Sequence, residues 1–102
     1  MNQKDKTKLR ASGKWKKKRN RLKKERKIDA LTLQPLRKGW NLHHLDLRPE
    51  HYDQIDDDVR FECLNKMSHE TVHNIYRYWV KDSSVLERLK TILEKMKEYS
   101  ND

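Results

Sequence analysis

Four of the chain's five histidines fall in two pairs. His43-His44 lies in Asn41-Leu42-His43-His44-Leu45-Asp46, and His69 stands four residues before His73 in Ser68-His69-Glu70-Thr71-Val72-His73. Successive side chains on a strand project to opposite faces, so His43 and His44 are expected to do different jobs. Residues four apart on a helix share a face, so His69 and His73 are expected to act together. One strand histidine with two helix histidines makes a three-ligand metal site that leaves positions open for substrate and water. Hydrolysis of a phosphodiester at neutral pH needs a deprotonated water, a neutralised phosphate and help for the leaving oxygen. In this reading His43, His69 and His73 each give one ring nitrogen to a single divalent ion, and His44 takes the water's proton as general base. The chemistry is that of a metal-dependent nuclease. Ligation by three histidines suits several ions, and Mg²⁺, Mn²⁺, Ni²⁺ and Zn²⁺ all remain in play.

The elements that must hold these side chains follow from local pattern. Residues 30–45 read as a β-hairpin: Leu31, Leu33 and Leu36 precede a turn at Arg37-Lys38-Gly39, and Trp40 to His43 follow it. Alternation sends Trp40, Leu42 and His44 to one face and Asn41, His43 and Leu45 to the other. Residues 46–59 read as a polar loop containing His51, a surface residue, and Asp56-Asp57-Asp58. Arg60-Phe61-Glu62-Cys63-Leu64 is a short strand, with Cys63 a small buried hydrophobe. Ser68 caps a helix running to about Lys81, whose inward stripe is Val72, Ile75, Tyr76 and Trp79. Ser84-x-x-Glu87 fits a capping box opening a last helix, along which Leu86, Leu89, Ile92 or Leu93, and Met96 recur for core or partner packing.

Composition bounds the partners. The 102 residues suit one domain, and with 33% hydrophobic and 40% charged residues the core must be small. Residues 1–27 carry 14 Lys/Arg against Asp5 and Glu25, whereas the remainder is slightly acidic and the whole chain is +9. A basic arm on a near-neutral body is the layout of a protein that must find a polyanion. After a flexible lead-in, Lys14 to Lys27 is rich in helix formers, frayed by self-repulsion alone and helical near phosphates. Trp15 in this arm either anchors it to the domain or lies against DNA. The nucleic-acid contacts expected are Lys14, Trp15, Lys16, Lys17, Lys18, Arg19, Arg21, Lys23 and Lys24, joined by Arg77 and Lys81 beyond the helix histidines. No run of about 18 apolar residues encodes a membrane span. No signal-peptide core opens the sequence, and the single Cys63 suits a reducing cytoplasm.

One stretch resembles a known family. Leu31-Thr-x-x-Pro35-Leu36-Arg-Lys-Gly39-Trp40-Asn41-Leu42-His43-His44-Leu45-Asp46, then Arg60-Phe61-x-Cys63-Leu64-Asn65-x-x-Ser68-His69-x-x-x-His73, resembles an HNH endonuclease of the small, phage-encoded kind. The likeness covers about residues 30–81 and is nearest the colicin-type DNases in its His-His and His-x-x-x-His pattern. It implies an α+β chain with a ββα-metal core at 28–81, preceded by the basic arm at 1–27. An additional amphipathic C-terminal helix at 82–102 would pack on that core, in a monomer or a homodimer. It also implies action on DNA in a bacterial host cell, beside other phage DNA-processing proteins. By this likeness His43 is the first metal ligand, His44 the base, and His69 and His73 the helix ligands. Arg60 stands where many members carry the Asn that orients the base. Asn65, counted with His44 among the catalytic candidates, either caps the helix or holds the loop. The orienting role then falls to Asp58, to a backbone carbonyl or to no group, and Asp46 is a possible outer acceptor for an imidazole N–H.

Overall fold

The computed structural model describes residues 3–45 and 57–100; Asp46 and His51 lie outside them. The chain is α+β. Its order is α1 (Gln3–Ala11), α2 (Gly13–Arg26), β1 (Asn41–His44), β2 (Phe61–Leu64), α3 (Lys66–Trp79) and α4 (Val85–Ser100), with a 3-10 turn at Asp58–Arg60 leading into β2. Two compact units divide the chain, residues 1–69 and 70–102, and the division falls within the continuous helix α3. Among the described residues no helix is long and apolar enough to cross a membrane.

The basic arm is not a frayed appendage: α2 is part of the first unit's core. Ser12 caps it in an extended conformation, its hydroxyl accepting from the Trp15 N–H at 3.2 Å, and Lys27 closes it in the left-handed region at φ 64°. Trp15, Lys18 and Leu22 recur at helical spacing and are all buried. Their partners come from the sheet. β1 and β2 pair antiparallel in the register Asn41↔Leu64, Leu42↔Cys63, His43↔Glu62 and His44↔Phe61. Leu42 and Cys63 therefore share a face with His44 and Phe61. That face packs with Trp15 and Leu22, and the core is completed by Trp40 and Leu36. Each large apolar side chain sequestered here contributes roughly 1.5–3 kcal/mol.

Three expectations about local structure are corrected. The strand before Gly39 does not form: β1 pairs with β2, and residues 28–36 fold as a turn-rich loop with one isolated bridge, Ile28 to Pro35. Leu33 adopts φ 62°, Pro35 has no N–H to donate, and Leu31 and Leu33 are exposed, so no strand face exists there. The turn itself is where Gly39 indicated, with φ 87° and the Trp40 N–H donating to the Arg37 carbonyl at 3.0 Å.

The other two corrections concern α3. It begins at Lys66, so Ser68 lies inside its first turn, and the Asn65 carbonyl accepts the first helical hydrogen bond, from His69, at 2.9 Å. Its expected inward stripe is not buried: Val72 and Ile75 are half-buried, and Tyr76 and Trp79 are exposed, their rings stacked at 6.3 Å. In the second unit, α4 starts directly after Ser84, whose carbonyl accepts from Glu87 and Arg88. The carboxylate that ties this turn is Asp82, which accepts from the Ser84 N–H at 3.0 Å and pairs with Arg88.

Candidate metal centre

Strand alternation and helix spacing produce the predicted separation of the two adjacent histidines. His43 projects from the sheet face that also carries Glu62, and its ring centroid lies 5.1 Å from that of His69, edge-on at 71°. His73 follows one turn along α3, carried by the helix itself. His43, His69 and His73 each offer one ring nitrogen, and these atoms lie within 4.8 Å of one another. An ion bound at about 2.0–2.1 Å to each would hold such nitrogens roughly 3.3 Å apart, so small side-chain rotations close the triad. Three imidazoles, one buried and two half-buried, fit a divalent ion that keeps open positions.

His44 lies on the opposite face. Its ring sits 4.6 Å from that of Phe61 and 6.5 Å from that of Trp15, and the residue is only 5% exposed. The groups proposed to handle it are engaged elsewhere. Asp58 pairs with Lys18 at 2.6 Å and with Arg21 at 2.7 Å, and these hydrogen bonds, Arg21's first, hold its carboxyl well below the usual carboxylate range. Arg60 donates to Asp57 at 3.1 Å. Asn65 holds the loop: its carbonyl oxygen accepts from the Arg37 N–H at 2.8 Å, and its amide donates to the Pro35 carbonyl at 3.0 Å.

The residue that sequence reasoning missed is Asp29. Fully buried, its carboxylate accepts from the N–H groups of Leu31 (2.7 Å), Thr32 (2.8 Å) and Asn65 (2.7 Å) and is hydrogen-bonded by Ser68. It thereby stitches the 29–37 loop to the start of α3, one turn before His69. Only Leu31 and Thr32 are near it in sequence; Asn65 and Ser68 are more than thirty residues away, so no local pattern announces the junction. Burial pushes the Asp29 carboxyl up, but the Ser68, Thr32, Asn65 and Leu31 hydrogen bonds outweigh it and bring the pKa to about 2. The folded value lies below the unfolded one of about 3.9, so this stabilisation is complete above that value. It is lost as pH falls towards 2. The thermal midpoint should therefore drop between about pH 4 and pH 2. Asp29→Asn should flatten that acid limb, and an unchanged slope in the variant would remove Asp29 from this role.

Of the side chains expected to meet nucleic acid, the fold turns several inward. Trp15 packs edge-on against Phe61 at 5.6 Å, which decides between its two expected roles in favour of anchoring the arm. Lys18 is 5% exposed and lies over the Phe61 ring at 4.6 Å. Arg19 stacks on Trp40 at 4.1 Å and donates to its carbonyl at 2.8 Å, and Arg21 grips Asp58. Arg26, not singled out from sequence, reaches the carbonyls of Phe61 (2.5 Å) and Asp58 (2.8 Å), tying the entry of β2 to the helix. Lys14, Lys16, Lys17, Lys23 and Lys24 remain exposed along α2, as do Arg77 at the end of α3 and Lys81 just after it.

Comparison with protein-family models, with curated proteins and with solved structures finds no match to the chain.

Proposed function

We propose that the chain is a metal-dependent DNA endonuclease of the HNH type, built on a ββα-metal core. The observation that carries this reading is the convergence of His43 from β1 with His69 and His73 from α3. A divalent ion held there would neutralise charge on a scissile phosphodiester and assist the leaving oxygen. A set of three imidazoles favours Zn²⁺ or Ni²⁺ over Mg²⁺, which prefers oxygen ligands. His43 anchors the ion from the sheet, and the helix pair fixes it against α3. Asp29 and Asn65 hold the first turn of α3 in register with the loop before β1. The exposed lysines of α2 supply sequence-independent affinity for phosphates, which should fall as salt rises. His44, next to the ligand His43, is the proposed base.

A second reading, a nucleic-acid or protein-binding module of the same fold that does not cut, is favoured by one observation. His44 faces Phe61 and Trp15 rather than the triad, and Asp58 and Asn65 are engaged elsewhere. One experiment separates the two. With Zn²⁺, Ni²⁺, Mn²⁺ or Mg²⁺ the purified protein should nick supercoiled plasmid, EDTA should stop it, and His44→Ala should lower the rate by about 10²-fold or more. DNA binding should survive that substitution. Absence of cutting under all four ions establishes the binding module instead.

A further inference from the structure

Opposite its buried stripe, α2 presents a face of unusual uniformity. The outermost residue there is Asn20, about 140–160° round the helix from Trp15, Lys18 and Leu22. Its neighbours on the helix surface are the side chains three and four residues to either side, and all of these are lysines: Lys16, Lys17, Lys23 and Lys24. Asn20 and its lysines are exposed. Other cations of the helix are engaged inward: Lys18 and Arg21 on Asp58, Arg19 on Trp40 and Arg26 on main-chain carbonyls. Glu25, the acid of α2, lies about 140° round from Asn20 and pairs with Arg21 at 3.2 Å. A solvated face needs only charge, and lysine at every position would supply it. The uncharged amide at its centre is not explained by charge, nor by helix propensity, since Asn is one of the weaker helix formers.

Lys16 and Lys23 form one row and Lys17 and Lys24 another, about 100° apart with Asn20 between them. A helix with its side chains is about 10–12 Å across, and the major groove of B-form DNA is about 12 Å wide. Seated in that groove, the two rows face the phosphates of its two walls while Asn20 points at the base edges. An Asn amide matches adenine there, donating to N7 and accepting from the N6 amino group. The narrow major groove of A-form RNA admits no such helix. We propose that the outward face of α2 is a major-groove reading surface for duplex DNA, with Asn20 the residue that selects an adenine. DNA as the partner rests on the function proposed above; cleavage is not required. α2 packs on the sheet face opposite His43, so this surface lies apart from that ligand and binding there needs no metal.

Selection of duplexes by the full chain from a random-sequence DNA pool, in EDTA, tests it. Wild type should enrich a short motif with one invariant adenine, preferred by roughly 5- to 150-fold, the range for one good bidentate pair. Asn20→Ala should lose that preference and keep the wild-type dependence of affinity on salt. K16Q/K23Q and K17Q/K24Q should keep the motif but bind every duplex more weakly. Each pair should lower the slope of log affinity against log salt by about 2. Ala is a stronger helix former than Asn, and Gln nearly equals Lys, so α2 keeps its fold in all these variants. Absence of any enriched motif overturns the proposal and leaves α2 a sequence-independent polyanion surface. So does a motif that survives Asn20→Ala, an unchanged salt slope in the lysine variants, or tighter binding to duplex RNA of the same sequence. A chain that selects the motif but never cuts supports it while ending the nuclease reading. A chain that cuts without preference does the reverse.

Discussion

His69→Ala is expected to weaken Zn²⁺ or Ni²⁺ binding by more than about 100-fold, since loss of an outer partner of a ligand alone typically costs about 10- to 100-fold. His69 is the hinge of the triad: its ring meets His43 across the sheet–helix boundary and shares a helix face with His73. Titration calorimetry reads the affinity directly. Thermal unfolding gives a second readout, because an ion bound only by the folded chain at 100 times its Kd adds about 2.7 kcal/mol. That increment should vanish in His69→Ala and His73→Ala but persist in His44→Ala, whose ring lies on the other face. Metal affinity retained in His69→Ala, or lost equally in His44→Ala, would show that the triad is not the site.

Trp15→Ala is expected to destabilise the first unit by about 3–5 kcal/mol, the range for emptying a large aromatic site in a core. In a core so small this is a large share of the total, as folded domains are stable by only about 5–15 kcal/mol. Trp15 covers both His44 and Phe61, and Leu22 and Lys18 sit on the same stripe. Removing residues 1–27 should accordingly unfold the first unit rather than merely weaken its grip on nucleic acid. Urea denaturation followed by tryptophan fluorescence is the measurement. A truncated chain with the wild-type midpoint would make α2 dispensable to the core.

Several parts of the candidate site are legible in the sequence because they depend on short-range geometry. Four-residue spacing on a helix puts His69 and His73 on one face, and the period of two on a strand puts His43 and His44 on opposite ones; both hold. Phe61–Leu64 reads as a strand and is one. The partner of β1 was not legible. Three leucines close before a Gly turn look like the first arm of a hairpin, but Leu33 in the left-handed region and Pro35 without an N–H prevent a ladder. β1 pairs instead with β2, and the two are separated by sixteen residues of chain.

Charge was misleading in a similar way. Fourteen basic residues in the first 27 read as an arm that seeks a polyanion, and Lys14, Lys16, Lys17, Lys23 and Lys24 of α2 do stay exposed. Lys18, Arg19, Arg21 and Arg26 turn instead to Asp58, Trp40 and the Phe61 and Asp58 carbonyls, partners 21 to 40 residues away. A long basic side chain lays its stem on apolar surface and lets its head find an acceptor, so composition alone cannot tell a phosphate contact from an internal one.

The sequence by itself determined which histidines share a face, where α3 and α4 run to within about two residues and that the N-terminal segment is strongly basic. These properties depend on spacing and on side-chain chemistry within a few residues. Tertiary structure decided the rest: that the basic helix belongs to the core, that Asp29 and Asn65 clamp the start of α3, and that His44 lies beneath Trp15 while His43 meets His69. Those are pairings across tens of residues, and they are selected by which buried donors, acceptors and apolar faces can all be satisfied at once.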